Sequence, residues 1–502
     1  MTSVHREVER KLRVDGPFEI PDLVDCCPSV ASVEMVAPFT MQATYYDTPD
    51  LRLFRWKVTL RRRSGGSDAG WHLKLPVEGA DAGTRDEVRV PDDGGDVPDE
   101  IRALVSALVR DETLQPMVSL RTERAPRILR DAVGNPRAEL VDDRVAVVDG
   151  SRTTMEFREI EVESLGGADE PVLSEVVDAL VERGAVPSTM SKAATALGPR
   201  TLAPPDIPEL AWPGPHDPAA EAVRAYLALH ARRLILQDVR VRRDLPDAVH
   251  QLRVAARRLR SGLRVFRPLI DRDWADRLRA ELAWAASGLG TARDSEVLLE
   301  RLDTAIDTLG EPDASTARGV VDPALQSRVD QGRIDVAQTL DSPRYAALLV
   351  ELVAAVQSPR WTDRAGEQCD DALPPLARKA FRRLAHDVDA LDGTSPGGQW
   401  HEARIAAKRA RYAAEAIAPV FPDRVADLAH GLSGITDILG THQDADVARQ
   451  LLRDLSREAT PEQAFALGRV YESQVSDQAL DRAAFAEAWP RVHRMATKAH
   501  LS

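Results

Sequence analysis

Cysteine is nearly missing from this chain: Cys26, Cys27 and Cys369 are the only three in 502 residues. Three thiols cannot build a disulfide framework and their spacing matches no zinc pattern, so a reducing, cytoplasmic setting is expected. Long apolar runs are missing too. The longest, near Ala346–Val356, is interrupted by Glu351, and the N-terminus opens on charges instead of an apolar secretion segment, so neither a membrane span nor export is expected. Nor is there a positive surplus: a formal net charge of −14 argues against a general nucleic-acid binder. What the chain does have is 43% apolar residues, ample for globular folding. Its length calls for about two to four domains.

Proline divides it. Residues 198–218 read GPRTLAPPDIPELAWPGPHDP, and these prolines deny both helix and ladder hydrogen bonds. The reading places one domain at residues 1–198, a linker at 199–216 and a second domain at 217–502. Before the linker, short β-type runs (Ala43–Tyr46, Val58–Arg63, Trp71–Leu75, Glu87–Val90, Glu139–Val148 and Phe157–Glu163) alternate with turn clusters, which predicts an antiparallel sheet or barrel with a few helices. After it, Ala/Leu/Arg stretches of helical period predict an all-α bundle. The expected class is therefore α+β and multidomain.

The most telling local pattern is Glu7, Glu9 and Lys11, at alternate positions of His5–Leu12. In an extended strand all three point to one face, which aims two carboxylates and an ammonium into one compartment. Carboxylate oxygens are hard ligands for Mg²⁺ or Mn²⁺, and a lysine balances a phosphate oxygen. Further charges recur at spacing two: Arg61 and Arg63, Lys74 in His72–Pro76, Glu87 with Arg89, and Glu159, Glu161 and Glu163. Arg121 or Arg124, Asp142 or Asp143, and Lys192 follow the same theme. Strands with charges on one face and Val, Leu or Ile on the other predict a barrel with a polar interior, whose ions need counter-charges from ligand and metal. No Ser or Cys nucleophile with a triad is evident.

The second half repeats itself. His250-x-x-Arg253-x-x-x-Arg257-Arg258-x-Arg260 aligns with His401-x-x-Arg404-x-x-x-Lys408-Arg409-x-Arg411, and further on Leu289-Gly290 and Asp294 align with Leu439-Gly440 and Asp444. On a helical wheel, His250, Arg253, Arg257, Arg260 and Arg264 form one stripe, with Leu252, Ala255, Ala256, Leu259 and Leu263 opposite. His401, Arg404, Lys408 and Arg411 form the second stripe, which departs from the first at Glu415, where Arg264 has its counterpart. The first copy holds no acid between Arg253 and Arg267, so pairing within the helix cannot neutralise it and an external polyanion would relieve the repulsion. The stripes lack the interleaved aromatics that stack bases, so no specific nucleic-acid partner is expected.

The duplicated basic helices resemble the CHAD domain, the conserved-histidine α-helical domain, from about Asp217 to the C-terminus. That resemblance implies a pseudo-twofold helical bundle that binds inorganic polyphosphate through His250, Arg253, Arg257, Arg260, Arg264, His401, Arg404, Lys408 and Arg411. The first half resembles the CYTH family of triphosphate tunnel enzymes over roughly Val4–Leu197, through Glu7-x-Glu9-x-Lys11, Tyr46-Asp47-Thr48, Leu60-Arg61-Arg62-Arg63, Leu73-Lys74-Leu75-Pro76 and Glu159-Ile160-Glu161. This implies an antiparallel tunnel that processes triphosphates with Mg²⁺ or Mn²⁺. Lys11, Arg61, Arg63, Lys74, Arg124 and Lys192 would grip phosphates. Glu7, Glu9, Glu161 and Glu163 would hold metal, with Glu159, Asp142 and Glu87 as further acidic candidates for metal or substrate. The expected reaction is hydrolysis of inorganic triphosphate to pyrophosphate and phosphate. An organic triphosphatase or adenylate cyclase acting on a nucleotide or thiamine triphosphate, and a non-catalytic polyphosphate scaffold, are the alternatives. Oligomeric state is open.

Overall fold

The alternation of the opening segment becomes strand β1 (Ser3–Val14), with Val8, Leu12 and Val14 buried on one face and Glu7, Glu9 and Lys11 on the other. The computed structural model describes residues 3–66, 68–80, 83–166, 171–392 and 395–502, without the side chains of residues 291 and 292. They form two units, Met1–Asp206 and Ile207–Ser502.

The strands of the first unit are β1, β2 (Ser32–Met35), β3 (Phe39–Asp47), β4 (Thr59–Ser64), β5 (Gly70–Pro76), β6 (Thr84–Val90), β7 (Gln115–Arg130), β8 (Pro136–Asp149), β9 (Arg152–Ser164) and β10 (Val186–Ser188). Its helices are α1 (Leu23–Cys26), α2 (Arg52–Arg55), α3 (Asp99–Val109), α4 (Pro171–Glu182) and α5 (Lys192–Leu197). All pairings are antiparallel in the order β1-β6-β5-β4-β3-β7-β8-β9, and β9 returns to β1, which closes the sheet into a barrel. Closure removes the free edges that would otherwise invite pairing with another chain. One hydrophobic core lies outside the wall, where Val8, Leu12, Leu129, Leu140, Ile160 and Val162 pack beneath Val172, Leu173, Val176 and Leu180 of α4, and a second gathers Ala43, Tyr45, Leu120, Val145 and Val147 on the inner face with Ala193 of α5. Because side chains alternate along each strand, the opposite face is left to line a lumen.

β7, at 16 residues, was not among the runs read from sequence. Pro116, Pro126 and the charges between them interrupt its apolar alternation, and long ladders to β3 and β8 override that weak local signal.

The second unit is helical: α6 (Ala219–Arg242), α7 (Ala248–Val265), α8 (Arg272–Gly288), α9 (Gly290–Asp307), α10 (Asp313–Leu340), α11 (Pro343–Gln357), α12 (Cys369–Ala372), α13 (Pro374–Asp389), α14 (Gly397–Ile417), α15 (Pro422–Ser456) and α16 (Pro461–Lys498). None is long and apolar enough to cross a membrane. The two basic repeats are α7 and α14, and they pack against one another. Leu252, Ala255, Ala256, Leu259 and Leu263 of α7 and Ala403, Ala406, Ala407 and Ala410 of α14 are buried. Gly262 lets the ring of Tyr226 press onto α7, since a Cβ there would stand 2.2 Å from that ring.

Candidate functional site

Four strands and one helix converge at the lumen's most densely charged point. Lys11 Nζ of β1 lies 3.0 Å from Glu9 and 2.8 Å from Glu161 of β9. Arg124 of β7 forks onto Asp143 of β8 at 2.8 and 2.6 Å and donates to Glu161 at 3.0 Å. Lys192 Nζ lies 2.7 Å from Glu161, 3.0 Å from Asp143 and 2.5 Å from Glu159. That lysine opens α5, whose N-cap is Ser191, with its hydroxyl accepting from Ala194 N–H at 3.1 Å. A cation in a first turn has the wrong sign for the helix dipole, so carboxylates must hold it there.

Around the wall, Lys74 Nζ donates to Glu7 at 2.7 Å. Arg61 Nη2 reaches Glu87 at 3.3 Å, and Glu87 also accepts from His72 Nδ1 at 3.0 Å and from Arg89. With those donors and 1% exposure, Glu87 is enclosed by Arg61, His72 and Arg89. Arg63 is paired to Asp68. Arg61 Nε and Arg63 Nε are both buried with no acceptor. Buried guanidinium N–H groups without partners are costly, so these mark places where anionic oxygens are wanted.

Parity sorts the candidates left open by sequence. Arg124 faces the lumen, while Arg121 is exposed. Asp142 is a correction: its carboxylate forks onto Arg158 at 2.8 and 2.7 Å on the outer face, and its neighbour Asp143, 0% exposed, is the lumenal acid. The register decides this, because Asp143 lies opposite Glu159 on β9 and Arg124 on β7. Glu159, Glu161 and Glu163 all share the lumenal parity, with Glu159 and Glu161 engaged by Lys192 and Glu163 beside Glu7 and Glu9.

The electrostatics follow from burial opposed by neighbours. Burial is the largest single influence on Glu9 and Glu161 and works to raise them, but Lys11 together with Lys74 for Glu9, and with Lys192 and Arg124 for Glu161, outweighs it and holds each below the usual carboxylate range. Glu163 goes the other way: burial first, then Glu7, pushes its carboxyl up to about 8. Among the described residues no three His, Cys, Asp or Glu side chains stand as a preformed metal cage. The donor chemistry nonetheless fits a hard divalent cation, since Glu163 is crowded by Glu7, Glu9 and Glu161 and a cation would relieve that repulsion.

Sequence reasoning passed over Tyr45, His72 and Asp68. Tyr45, 4% exposed on β3, faces the lumen beside Arg61. Burial works to raise its phenol, but Arg61, Lys192 and Arg63 hold it below the usual range. Trp71 packs on Tyr46 and Arg62 on the outer wall, and Trp56 donates to Asp206 at 2.9 Å.

In the helical unit, Arg253 pairs with Asp294 at 3.0 Å, and His401 Nδ1 meets Gln443 at 2.8 Å. Arg411 is held by Glu415 at 2.8 Å and Thr436 at 2.7 Å, and Glu415 also pairs with Arg258. Glu415 thus neutralises that end of the second stripe from within. His250 is half-buried at the head of the first stripe. Among the described residues, Arg257, Arg260, Arg264 and Lys408 form no ion pair, and Arg257 Nε and Arg404 Nε are buried without an acceptor. Burial, then Arg404 and Arg257, pushes Lys408 down to about 8. This is a cationic groove short of anions.

Comparison with known proteins finds a CYTH domain model matching residues 5–181 and a CHAD domain model matching residues 225–453. Two Mycobacterium tuberculosis proteins, MT2285 and Rv2226, both described as uncharacterized, are each 34% identical over 497 residues, spanning 94% of this chain and 93% of theirs. Among solved structures, PptA from Streptomyces chartreusis is 28% identical with a TM-score of 0.48, covering 55% of this chain and 100% of that one.

Proposed function

The chain belongs to the family that joins a CYTH domain to a CHAD domain, and from that membership we propose a metal-dependent inorganic triphosphatase in the barrel, coupled to a polyphosphate-binding bundle. The proposed domain limits are residues 1–198 and 217–502, joined by 199–216. The observation that carries the reading is the convergence of Lys11, Arg61, Arg63, Lys74, Arg124 and Lys192 on one lumen, in which Arg61 Nε and Arg63 Nε lack acceptors.

In this reading the arginines hold phosphate oxygens by forked charge-assisted bonds and the lysines by charge. Glu7, Glu9, Glu161 and Glu163 are the proposed holders of Mg²⁺ or Mn²⁺, with Asp143 in place of Asp142 as a lumenal acid from β8 that shares Lys192 with Glu161. When bound, the metal would neutralise charge on the phosphoryl group and make water acidic enough to attack it. The cations fix the chain of phosphates in line and stabilise the leaving pyrophosphate, so positioning and electrostatics suffice without a covalent nucleophile. An inorganic substrate is favoured because, of Trp56, Trp71 and Tyr45, only Tyr45 faces the lumen, and it is engaged with Arg61. His250, Arg253, Arg257, Arg260, Arg264, His401, Arg404, Lys408 and Arg411 are the proposed polyphosphate contacts, with Arg411 compensated already by Glu415.

The test is phosphate release from purified full-length protein given tripolyphosphate, ATP, thiamine triphosphate or long-chain polyphosphate, each with Mg²⁺ or Mn²⁺. Release from tripolyphosphate is expected to dominate. Cyclic AMP from ATP would instead identify a cyclase, and binding without turnover of any of them a scaffold.

A further inference from the structure

Arg63, a proposed phosphate contact, is already in the grip of an anion. Its Nη1 is paired to a carboxylate oxygen of Asp68, five positions later in the turn between β4 and β5. The same turn is fixed from below. The main-chain carbonyl of Asp68 lies 2.8 Å from His72 Nε2, while His72 Nδ1 lies 3.0 Å from Glu87. Both ring nitrogens of His72 are thus engaged, one by the turn and one by Glu87, which ties the turn to the wall that carries Arg61.

The two halves of Asp68 therefore play different parts. Its backbone is clamped by a histidine that is 1% exposed, whereas its side chain is 26% exposed and within reach of solvent. Arg63 is 7% exposed on its side chain and remains under-satisfied, because its Nε has no acceptor. Burial, then Arg61, pushes the Arg63 guanidinium down to about 10 in spite of Asp68, so the cluster holds more positive charge than one carboxylate balances. Burial works to raise Asp68, but Arg63, His72 and Arg61 hold it below the usual range, which keeps it an anion.

We propose that Asp68 is a tethered stand-in for a substrate phosphate, seated on Arg63 in the resting tunnel and displaced when a polyvalent phosphoanion enters. The inference rests on the triphosphatase reading and deepens it by naming what sets selectivity. A tethered carboxylate competes without loss of translational freedom, so a singly charged anion that meets Arg63 alone loses to it. A chain of phosphates that also meets Arg61, Arg124 and Lys192 gains contacts that Asp68 cannot make, and wins. Asp68 thus discriminates against small monovalent anions at the expense of affinity for the true substrate.

Full-length protein and Asp68→Asn are compared by steady-state kinetics with tripolyphosphate and Mn²⁺, and by inhibition with pyrophosphate. Asn keeps the shape of Asp and loses its charge. KM for tripolyphosphate is expected to fall about tenfold, with pyrophosphate inhibition strengthened by a similar factor and kcat retained. Asp68→Glu keeps the pair and is expected within about twofold of wild type, and Asp68→Ser gives an independent removal of the charge. An unchanged or raised KM in both charge-removing variants overturns the stand-in, and so does a collapse of kcat, which would place Asp68 in the reaction itself. Wild type that neither binds nor cleaves tripolyphosphate overturns the underlying reading, a result distinct from a wild type that works and variants that match it.

Discussion

Lys11 and Glu161 meet at 2.8 Å although 150 residues separate them in the chain. They sit opposite one another where β9 returns to β1, so the ion pair lies on the seam that closes the barrel. Glu161 also faces Arg124 and Lys192. Removing its charge leaves three buried cations short of a partner. Glu161→Gln is expected to destabilise the protein by about 3 kcal/mol, since breaking a buried pair from one side leaves the other charge uncompensated. Urea unfolding of the full chain checks this, and a change below about 1 kcal/mol would mean that the network is solvated.

The carboxylates of Glu7 and Glu9 are proposed metal holders in the barrel, whereas the proposed polyphosphate contacts belong to the helical unit. Glu7→Gln combined with Glu9→Gln is expected to abolish phosphate release while long-chain polyphosphate binding persists. Loss of both in one variant would contradict that division of labour.

Glu163 gives the barrel a pH signature. Its folded value of about 8 lies above its ordinary 4.5, so between those limits the metal-free folded state keeps a proton that the unfolded chain releases. The contribution to stability is full below the lower value and disappears as pH rises through the upper one. A divalent cation reverses the penalty by supplying positive charge where the proton leaves. The rise in Tm produced by Mn²⁺ is therefore expected to be larger at about pH 8.5 than at about pH 6. Calorimetry showing the same rise at both would refute the assignment of Glu163 to the metal.

Lys408 gives the bundle a different one. With its ammonium pushed down to about 8 by burial, Arg404 and Arg257, it is charged below that pH and neutral above, with Asp444 opposing the shift and Arg411 adding to it. Polyphosphate affinity is expected to weaken as pH rises through that value. Lys408→Arg, which stays charged, should flatten the dependence. Equal pH profiles in the two proteins would show that Lys408 does not touch the ligand. Removing charge together at Arg253, Arg257, Arg404 and Lys408 should weaken binding and reduce its salt dependence, and unchanged affinity would discount the groove.

Neighbouring aspartates test the register. Asp143→Asn is expected to lower turnover at least tenfold because Arg124 and Lys192 lose a shared partner. Asp142→Asn breaks only the outer pair with Arg158 and should leave turnover within about twofold. The reverse ranking in initial rates would mean that the inward parity of β8 is wrong.

Much of the site was legible because alternation is local. Any extended strand brings Glu7, Glu9 and Lys11 to one face, and any helix brings Arg253, Arg257 and Arg260 into one stripe, whatever lies beyond. The repeat from His250 and from His401 needed no tertiary information either. Parity within a strand, however, does not say which parity faces inward. On β8 both Asp142 and Asp143 are acids, and each found an arginine, Arg158 outside and Arg124 inside. Asp68 and Tyr45 carried no spacing signal: one lies in a turn and the other reads as one aromatic among several.

The sequence by itself determined the residue types, their shared faces and the two-copy helical repeat, since these rest on backbone geometry over a few positions. Only the tertiary structure decided that the charged face is the enclosed one, that Asp143 belongs to it, and that Asp68 reaches Arg63. The reason is register: burial of Val8, Leu12, Ile160 and Val162 against α4 turns the opposite face of β1 and β9 inward. The pairing of β1 with β9 then sets partners from distant parts of the chain against each other.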